Sequence, residues 1–271
     1  MINKGEVNKI ARQHQIGDAQ IEKDYVITWV LCGISQNELL KNALAFKGGT
    51  VLKKAYFSDY RFSEDLDFTL LNEDLSNEQI ISAFNEALEF AQDETGMTLK
   101  INTEKDKEHK ETNSIKFFID YVGPLQGAFG SRDLKVDITR KEILEFELEE
   151  RPIFSEYSDL DKKFQVKCYT LSEVLIEKMA AVMGRTIPRD IYDLWYLLEI
   201  DGIDIDGHVR EFERKAKNKG QKPELFKEKL RKKEEIYKRD WNRSLEKQVR
   251  ELRPFEEIVR SLNKHFRKIN I

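Results

Sequence analysis

Cysteine, proline and long apolar runs are all scarce in this sequence. Of 271 residues only two are cysteine, Cys32 and Cys168, and neither belongs to a C-x-x-C motif or a histidine cluster. This excludes a disulfide framework and gives a zinc site no support. Five prolines and 13 glycines are too few for a collagenous or low-complexity chain.

The longest apolar stretch, residues 26–34, is too short to span a bilayer, and the first residues contain no apolar signal core. We therefore expect a cytoplasmic protein, without membrane contact, whose thiols are reduced and buried.

Charge of both signs is abundant but unevenly distributed. The 46 Lys and Arg residues and 50 Asp and Glu residues give a net charge of -4. Residues 201–271 contain 21 Lys and Arg against 14 Asp and Glu, whereas residues 1–200 contain 25 against 36. The resulting excess of +7 in the C-terminal segment favours contact with a polyanion. Interleaved Glu and Lys are also typical of solvated helix faces, and charge alone favours that second interpretation.

Hydrophobic periodicity divides the chain into a mixed α/β part and a helical part. Helical spacing covers residues 21–34 and 77–91, and short apolar, alternating or β-branched segments predict strands. The strand candidates are residues 44–46, 66–70, 98–102, 114–121 and 134–138. After Leu171 only helical patterns remain. We predict an α+β fold in two domains, with residues 1–170 holding the sheet and N-terminal helices and residues 171–271 forming a helical C-terminal domain.

Acidic residues alternate with apolar residues in two of the predicted strands. In a strand, Asp65 and Asp67 lie on one face while Leu66 lies on the other. Asp137 repeats this pattern within residues 135–138. Neighbouring carboxylates repel each other unless a divalent cation neutralises them, and Mg²⁺ prefers carboxylates together with substrate phosphates. Three carboxylates on adjacent strands could hold two metal ions about 3.5–4 Å apart. An ordinary strand with a polar solvent face would give the same pattern, and the D-x-D motif alone favours that simpler interpretation.

A pair of glycines precedes the acidic motif. Gly48 and Gly49 allow the backbone to approach a ligand closely, and N-H groups at the start of a following helix favour a phosphate. The hydroxyl of Thr50 would be a further donor. The alternative is a strand-to-helix turn in which Thr50 is the N-cap. The GxxxxGK[ST] sequence is absent, so a P-loop enzyme is not indicated.

Two cations interrupt an apolar stripe in the C-terminal part. Lys178 and Arg185 lie at helical spacing with Val174 and Val182. A buried cation is unfavourable unless it meets a carboxylate, a carbonyl or a ligand phosphate, although a lysine can also extend to a nearby surface. Asp190 flanks the apolar stripe of the next predicted helix and is a candidate partner for either cation.

In this order the motifs resemble those of the AbiEii nucleotidyltransferase toxin family, a group that includes the MenT toxins. The resemblance covers residues 21–198 and leaves the basic C-terminal segment poorly matched. It is carried by EKDYV (22–26), FKGGT (46–50), RFSEDLDF (61–68), VDI (136–138), EKMAA (177–181) and RDIYDL (189–194).

The resemblance implies a nucleotidyltransferase fold of the polymerase-β type. In that fold a small mixed sheet is flanked by helices and followed by a helical domain. By the same resemblance, Gly48, Gly49 and Thr50 would hold the triphosphate of an NTP. Asp65 and Asp67 would bind Mg²⁺ as the D-x-D pair, with two ions expected.

The resemblance also implies roles for residues outside these two motifs. Asp137 would be the third acid, serving as a metal ligand or as the base for the incoming hydroxyl. Lys178 would contact a nucleotide phosphate. Asp193 would be the essential acid of the last motif, although Asp190 competes for that role.

The function implied is the transfer of NMP from an NTP to an RNA acceptor, with tRNA expected. Such an enzyme would act as the toxin of a bacterial toxin–antitoxin or phage-defence pair, with a cognate antitoxin as a candidate partner. Two alternatives remain open. One is a transferase of the same fold that modifies a protein or a small molecule, and the other is a nucleotide-binding or RNA-binding module without turnover.

Overall fold

Two compact units make up the part of the chain that the computed structural model describes, which is residues 1–102 and 114–270. The first unit comprises Met1–Glu142 and Leu148–Cys168. The second comprises Ile143–Glu147 together with the residues from Tyr169 onward. The short segment Ile143–Glu147 therefore belongs to the second unit although both of its neighbours in sequence belong to the first.

A seven-stranded mixed sheet forms the centre of the first unit. Its strands are β1 (Leu44–Lys47), β2 (Asp65–Leu70), β3 (Thr98–Asn102), β4 (Ser114–Val122), β5 (Asp133–Thr139), β6 (Leu148–Pro152) and β7 (Gln165–Tyr169). Across the sheet they follow the order β3-β4-β5-β2-β1-β7-β6. β2 is parallel to β5 and antiparallel to β1, and β1 is parallel to β7. The mixed sheet of the predicted fold class is confirmed.

The first unit also contains helices, one of which packs against a face of the sheet. They are α1 (Lys4–His14), α2 (Asp18–Gln36), α3 (Glu38–Ala43), α4 (Gly48–Val51), which continues as a π-helical turn over Leu52–Tyr56, and α5 (Asn77–Thr95). α5 begins with a capping box in which Ser76 and Gln79 satisfy each other's backbone N-H groups. α2 and α5 approach so closely that a Cβ at Gly33 would lie 2.1 Å from the carbonyl oxygen of Ala87. Only glycine fits at that crossing.

One face of the sheet is apolar because the strands alternate. Leu66 and Phe68 of β2 and Phe117 of β4 are almost completely buried. The ring of Phe84 in α5 packs edge-on against Phe117, with ring centroids 5.0 Å apart. Burying each such side chain contributes about 1.5–3 kcal/mol to folding. The apolar face therefore fixes the strands, and the alternate residues of the same strands, including Asp65, must point to the other face.

The sequence analysis missed two strands, β6 and β7. β6 consists of Leu148–Pro152, is largely polar and lies at the edge of the sheet, so it lacks the alternation of a half-buried strand. β7 does alternate, with Val166 and Cys168 buried, but it is only five residues long. Its position is set by pairing with β1, where Phe46 lies opposite Cys168. Such a long-range pairing cannot be recognised within a short window of sequence.

The second unit is helical, as predicted. Its helices are α6 (Leu171–Gly184), α7 (Pro188–Trp195), which continues as a π-helical turn over Tyr196–Ile200, α8 (Val209–Asn218), α9 (Phe226–Leu245) and α10 (Phe255–Phe266). Aromatic rings join the last three helices: Phe226 contacts Phe212 and Phe266 with ring centroids 5.3 and 5.2 Å apart. Among the described residues, no helix is both long enough and apolar enough to cross a membrane.

A buried ion pair holds the segment Ile143–Glu147 in the second unit. Glu173 and Lys215 are 0% and 1% exposed, and the Lys215 Nζ atom lies 2.6 Å from Glu173 Oε1. The other oxygen of Glu173 accepts hydrogen bonds from the backbone N-H groups of Glu145 and Phe146, both at 2.9 Å. Lys215 also donates to the carbonyl oxygen of Ile143 at 3.1 Å. The pair thus satisfies its own charges and tethers the segment at the same time.

Candidate active site

Four charged side chains form a row across the sheet face opposite the apolar core. Asp67 pairs in register with Asp137 of β5 on one side and with Lys47 of β1 on the other. Asp137 pairs in turn with Lys116 of β4. Because directly paired residues project to the same face, the order across four strands is Lys116, Asp137, Asp67, Lys47. The two carboxylates are therefore neighbours flanked by two ammonium groups.

Asp65 and Lys135 occupy the adjacent row on the same face. They pair with each other across β2 and β5, one step along the face from Asp67 and Asp137. The Oδ2 atom of Asp137 lies 3.6 Å from the Nζ atom of Lys135 and 3.8 Å from that of Lys116. The three predicted acids thus lie on one face of two adjacent strands, as the alternation predicted, and lysines lie close to Asp137.

The turn after β1 brings the backbone against Asp67. Gly48 has a φ of +80°, and a Cβ at this position would lie 2.4 Å from the Oδ2 atom of Asp67. Glycine is required here twice, once for the positive φ and once for the close approach. Gly48, Gly49 and Thr50 start the short helix α4, whose N-cap is Lys47. The alternative in which Thr50 caps the helix is therefore wrong.

The hydroxyl of Thr50 is directed into the protein. It lies 2.7 Å from Ser63 Oγ and 2.5 Å from the backbone oxygen of Asp65, and Thr50 is only 2% exposed. This contact ties the glycine turn to the start of β2. In this arrangement, the groups of the turn that remain suited to a phosphate are backbone N-H groups rather than the hydroxyl.

The acidic face has the donor chemistry of a Mg²⁺ site without being a preassembled one. Carboxylate oxygens are the ligands that Mg²⁺ prefers, and the ion commonly takes only one or two of them together with substrate phosphates. Within residues 1–102 and 114–270, no three acidic, histidine or cysteine side chains already converge as a complete metal site. The D-x-D pair fits this chemistry, whereas Asp137 would have to exchange lysine contacts for a metal ion.

The second group of predicted residues lies in the second unit. The Nζ atom of Lys178 is 2.9 Å from Asp190 Oδ1 and 2.7 Å from Asp193 Oδ2. The side chains of the two acids are 1% and 0% exposed, and that of Lys178 is 7% exposed. Arg185, which is 55% exposed, also binds Asp190 through its Nε atom at 2.7 Å. Lys178 therefore pairs with both Asp190 and Asp193, the two acids that the sequence analysis could not decide between. Arg185 extends to solvent.

Electrostatics in this cluster favour ionised acids. Burial alone would raise the pKa of Asp190, but the Lys178 ammonium and the Arg185 guanidinium outweigh it, and the pKa lies below its ordinary value. Asp193 lies at ion-pair distance from Lys178. The predicted site residues therefore fall into two groups. Lys178 and Asp193 belong to one ion cluster in the second unit, and Gly48 and the three strand acids lie at the sheet face of the first unit.

The motif near the N-terminus has a structural explanation. Asp24 Oδ2 lies 2.5 Å from the Nζ atom of Lys54 and accepts a hydrogen bond from the Tyr157 hydroxyl at 2.6 Å. Burial, followed by the Asp24 carboxylate, raises the pKa of Tyr157 well above its usual range. Glu22, completely buried, forms an ion pair with Arg132. These contacts join α2 to distant parts of the first unit, so both acids of the motif are used inside the fold.

The sequence analysis did not identify Lys47 and Lys116 as neighbours of Asp67 and Asp137. Lys47 is 6% exposed and donates from Nζ to Thr139 Oγ1 at 3.0 Å. Its position directly after an apolar segment and before the glycine pair was visible in the sequence. The position of Lys116 was not, because it depends on the register between β4 and β5.

Comparison with known proteins places the chain in a family. A family model described as "Nucleotidyl transferase AbiEii toxin, Type IV TA system" matches residues 29–261. No curated protein sequence is significantly similar to this chain. Among solved structures, JHP933 from Helicobacter pylori superposes with a TM-score of 0.60 at 16% identity, covering 93% of this chain and 92% of that one. The MenT4 nucleotidyltransferase toxin from Mycobacterium tuberculosis superposes with a TM-score of 0.59 at 18% identity, covering 80% of this chain and 69% of that one.

Proposed function

Since the chain belongs to the AbiEii nucleotidyltransferase toxin family, we propose that it transfers a nucleoside monophosphate from an NTP to tRNA in a Mg²⁺-dependent reaction. Membership of this type IV toxin–antitoxin family implies a nucleotide substrate and an antitoxin partner. We place the reaction in the bacterial cytoplasm, as the toxic step of a phage-defence system. The observation that carries the proposal is the register of Asp67 beside Asp137, with Gly48 packed against Asp67.

Each of the two groups of residues has a part in this proposal. Asp65 and Asp67 hold Mg²⁺, Asp137 joins them as the third acid, and the turn that contains Gly48 and Gly49 binds the triphosphate through its N-H groups. When bound, Mg²⁺ supplies positive charge that stabilises the phosphoryl oxygens as negative charge develops on them. The carboxylates supply the oxygen ligands that this ion requires.

Lys178 and Asp193 contribute through charge. Lys178 contacts a nucleotide phosphate, where its ammonium offsets negative charge on the departing pyrophosphate. Asp193, 2.7 Å from that ammonium, is a positioning residue that holds Lys178 in place. Asp190 supports the same ammonium and is additionally paired with Arg185.

The transfer needs no covalent enzyme intermediate. The oxygen of an acceptor hydroxyl attacks the α-phosphorus of the NTP, and the bond from that phosphorus to the oxygen bridging to the β-phosphate breaks. Pyrophosphate leaves with the electrons of the broken bond. The proton of the attacking hydroxyl passes to a carboxylate, for which Asp137 is the candidate base. The products are a nucleotidylated acceptor and pyrophosphate.

The charge distribution supports an RNA acceptor. Residues 201–271 contain 21 Lys and Arg against 14 Asp and Glu, whereas the remainder of the chain is acidic. A polyanionic acceptor is attracted to such a segment, and its binding should weaken with salt. An uncharged acceptor gains nothing from this asymmetry.

Labelling tests the proposal. The protein is incubated with Mg²⁺, each α-labelled NTP in turn, and an extract containing total RNA and protein. We expect label from one or more NTPs in a tRNA-sized band. Label confined to protein or to a small molecule would replace tRNA as the acceptor, and absence of transfer despite measurable nucleotide binding would contradict the enzymatic reaction.

A matched pair of variants tests the site. Asp65→Ala/Asp67→Ala should abolish transfer, because both proposed metal ligands are lost. Asp74→Ala/Asp93→Ala removes the same charge from exposed positions of the same unit and should leave transfer unchanged. Transfer retained by the first double variant would show that the metal site lies elsewhere.

A further inference from the structure

A cavity of about 480 Å³ opens on the second unit between α7, α9 and α10. Its floor is apolar and consists of buried side chains. These are Ile191, Tyr237, Phe255, Leu262 and Phe266. The volume lies within the range of about 300–1,000 Å³ found for pockets that bind small organic groups. None of the residues assigned to the transfer reaction lines this cavity.

The rim of the cavity is strongly basic. Arg231 and Arg267 are exposed and line its entrance, and Arg260 and Lys264 line an adjoining depression of about 360 Å³ that shares Arg267. Within the described ranges, none of these four side chains takes part in an ion pair, whereas Lys238 of α9 binds a glutamate of α10 at 2.7 Å. In the described part of the chain no carboxylate lies at ion-pair distance from them, and only a longer-range charge interaction joins Lys264 to Glu199.

Polar groups suited to a base edge lie between the cations. Asn263 and Glu234 line both the cavity and the depression, and both are exposed. An amide offers a donor and an acceptor, and a carboxylate accepts from exocyclic amino groups. Arginine guanidinium planes also stack on bases. The combination of apolar floor, polar edge and cationic rim matches a nucleotide with its flanking phosphates.

We propose that this cavity binds an unpaired nucleotide of the RNA acceptor, with the base on the apolar floor and neighbouring phosphates at Arg231 and Arg267. Arg260 and Lys264 of α10 and its C-cap residue Arg267, which keeps helical backbone angles, follow one another at intervals of four and three residues, which places them on one side of the helix. Such a track of cations continues the contact along a single-stranded backbone. The inference rests on the proposed function for the identity of the RNA, but it concerns binding and not the chemical step.

An acidic amphipathic peptide is the competing occupant. It would also place an apolar group on the floor and carboxylates on the arginines. It would, however, bring its carboxylates towards the exposed Glu234, which a base edge can instead use as a hydrogen-bond acceptor. The polar lining of the cavity therefore favours RNA.

The test measures RNA binding separately from transfer. Fluorescence anisotropy of labelled bulk tRNA is followed with the full-length protein and with Arg231→Glu/Arg267→Glu. The control Arg210→Glu/Lys222→Glu makes the same charge change at exposed positions of the same unit outside the cavity. We expect the cavity variant to lose at least roughly tenfold in affinity and the control to lose about twofold or less. Urea unfolding of both variants should show unchanged stability, because all four side chains are exposed.

Salt and competitors give the test a second readout. In the cavity variant the slope of log affinity against log salt should decrease by about one to two, because two phosphate contacts are lost. A single-stranded oligonucleotide should displace the tRNA more strongly than a duplex of equal length. Equal losses in the cavity variant and the control, or equal competition by polyglutamate, would overturn the proposal.

The outcomes also separate this inference from the proposed function. Asp67→Asn should bind tRNA with wild-type affinity although it transfers nothing. If no RNA is ever labelled but the cavity variant still loses RNA binding, the docking site stands and the proposed reaction fails. If tRNA is labelled and its affinity is unaffected in the cavity variant, the reaction stands and the docking site is refuted.

Discussion

Replacement of Gly48 by alanine should impair transfer far more than it impairs folding. The new Cβ would lie 2.4 Å from Asp67 Oδ2, about 1 Å closer than carbon and oxygen atoms pack without strain. The positive φ of +80° adds a backbone penalty of about 1–2 kcal/mol. Asp67 or the glycine turn must move to relieve the contact. Because a displacement of about 1 Å in a catalytic group can reduce the rate roughly 100-fold, we expect a loss of that size.

Gly96 provides the matched control. It has a φ of +72°, but nothing lies within 4 Å of the position that its Cβ would take. Gly96→Ala therefore carries the same backbone penalty without the contact to Asp67. Urea unfolding should show both variants destabilised by about 1–2 kcal/mol, with a further loss for Gly48→Ala if the turn rather than Asp67 moves.

Transfer of α-labelled NMP is then measured for both variants at equal folded fraction. Gly96→Ala should retain wild-type transfer and Gly48→Ala should not. If the two variants are equally active, the contact between Gly48 and Asp67 has no bearing on the reaction, and the assignment of Asp67 to the site loses its main structural support.

Three further predictions follow from the charged and buried groups. Asp67→Asn should abolish transfer. In a urea titration it should change the free energy of unfolding by less than about 1 kcal/mol, because it removes one of two adjacent like charges. A large destabilisation would mean that Asp67 is held by its lysine neighbours. Lys178→Met should lower the free energy of unfolding by about 3–5 kcal/mol, since Asp190 and Asp193 lose their buried counter-ion. A combined Lys178→Met/Asp193→Leu variant should recover part of this loss. The pKa of Asp190 is lower in the folded state than in the unfolded state, so its stabilisation is present above the unfolded pKa of about 3.9 and disappears as the pH falls through the folded pKa. The stability difference between wild type and Asp190→Asn should accordingly shrink on acidification, and a difference that grows instead would reverse the sign of this linkage. 

The face on which the strand acids lie could be predicted because it depends on local geometry. In Asp65-Leu66-Asp67 the alternation has a period of two residues, and burial of Leu66 decides which face is the core. The pairing of Asp67 with Asp137 and of Asp137 with Lys116 could not be predicted. Those registers join residues far apart in sequence, and they are set by the packing of whole strands.

The ion cluster around Lys178 was only partly predictable. Helical spacing placed Lys178 in an apolar stripe, so a counter-ion was expected, and Asp190 was identified as a candidate. The sequence could not show that Asp193 binds the same ammonium, because that contact depends on how α6 and α7 cross. For Thr50, both sequence interpretations assumed that its hydroxyl remained at the helix start, whereas it contacts Ser63 and the backbone of Asp65.

The tether at Ile143–Glu147 has a consequence for how the two units can be separated. A fragment that starts at residue 171 would keep Glu173 and Lys215 but lose the carbonyl oxygen of Ile143 and the N-H groups of Glu145 and Phe146. During synthesis, this segment leaves the ribosome well before Lys215 does, so its contact with Lys215 cannot form until about half of the second unit has been made. Exchange of helical units between relatives would have to carry this inserted segment along with everything after residue 168. Each unit is compact, but the second unit is not encoded by one continuous stretch of sequence.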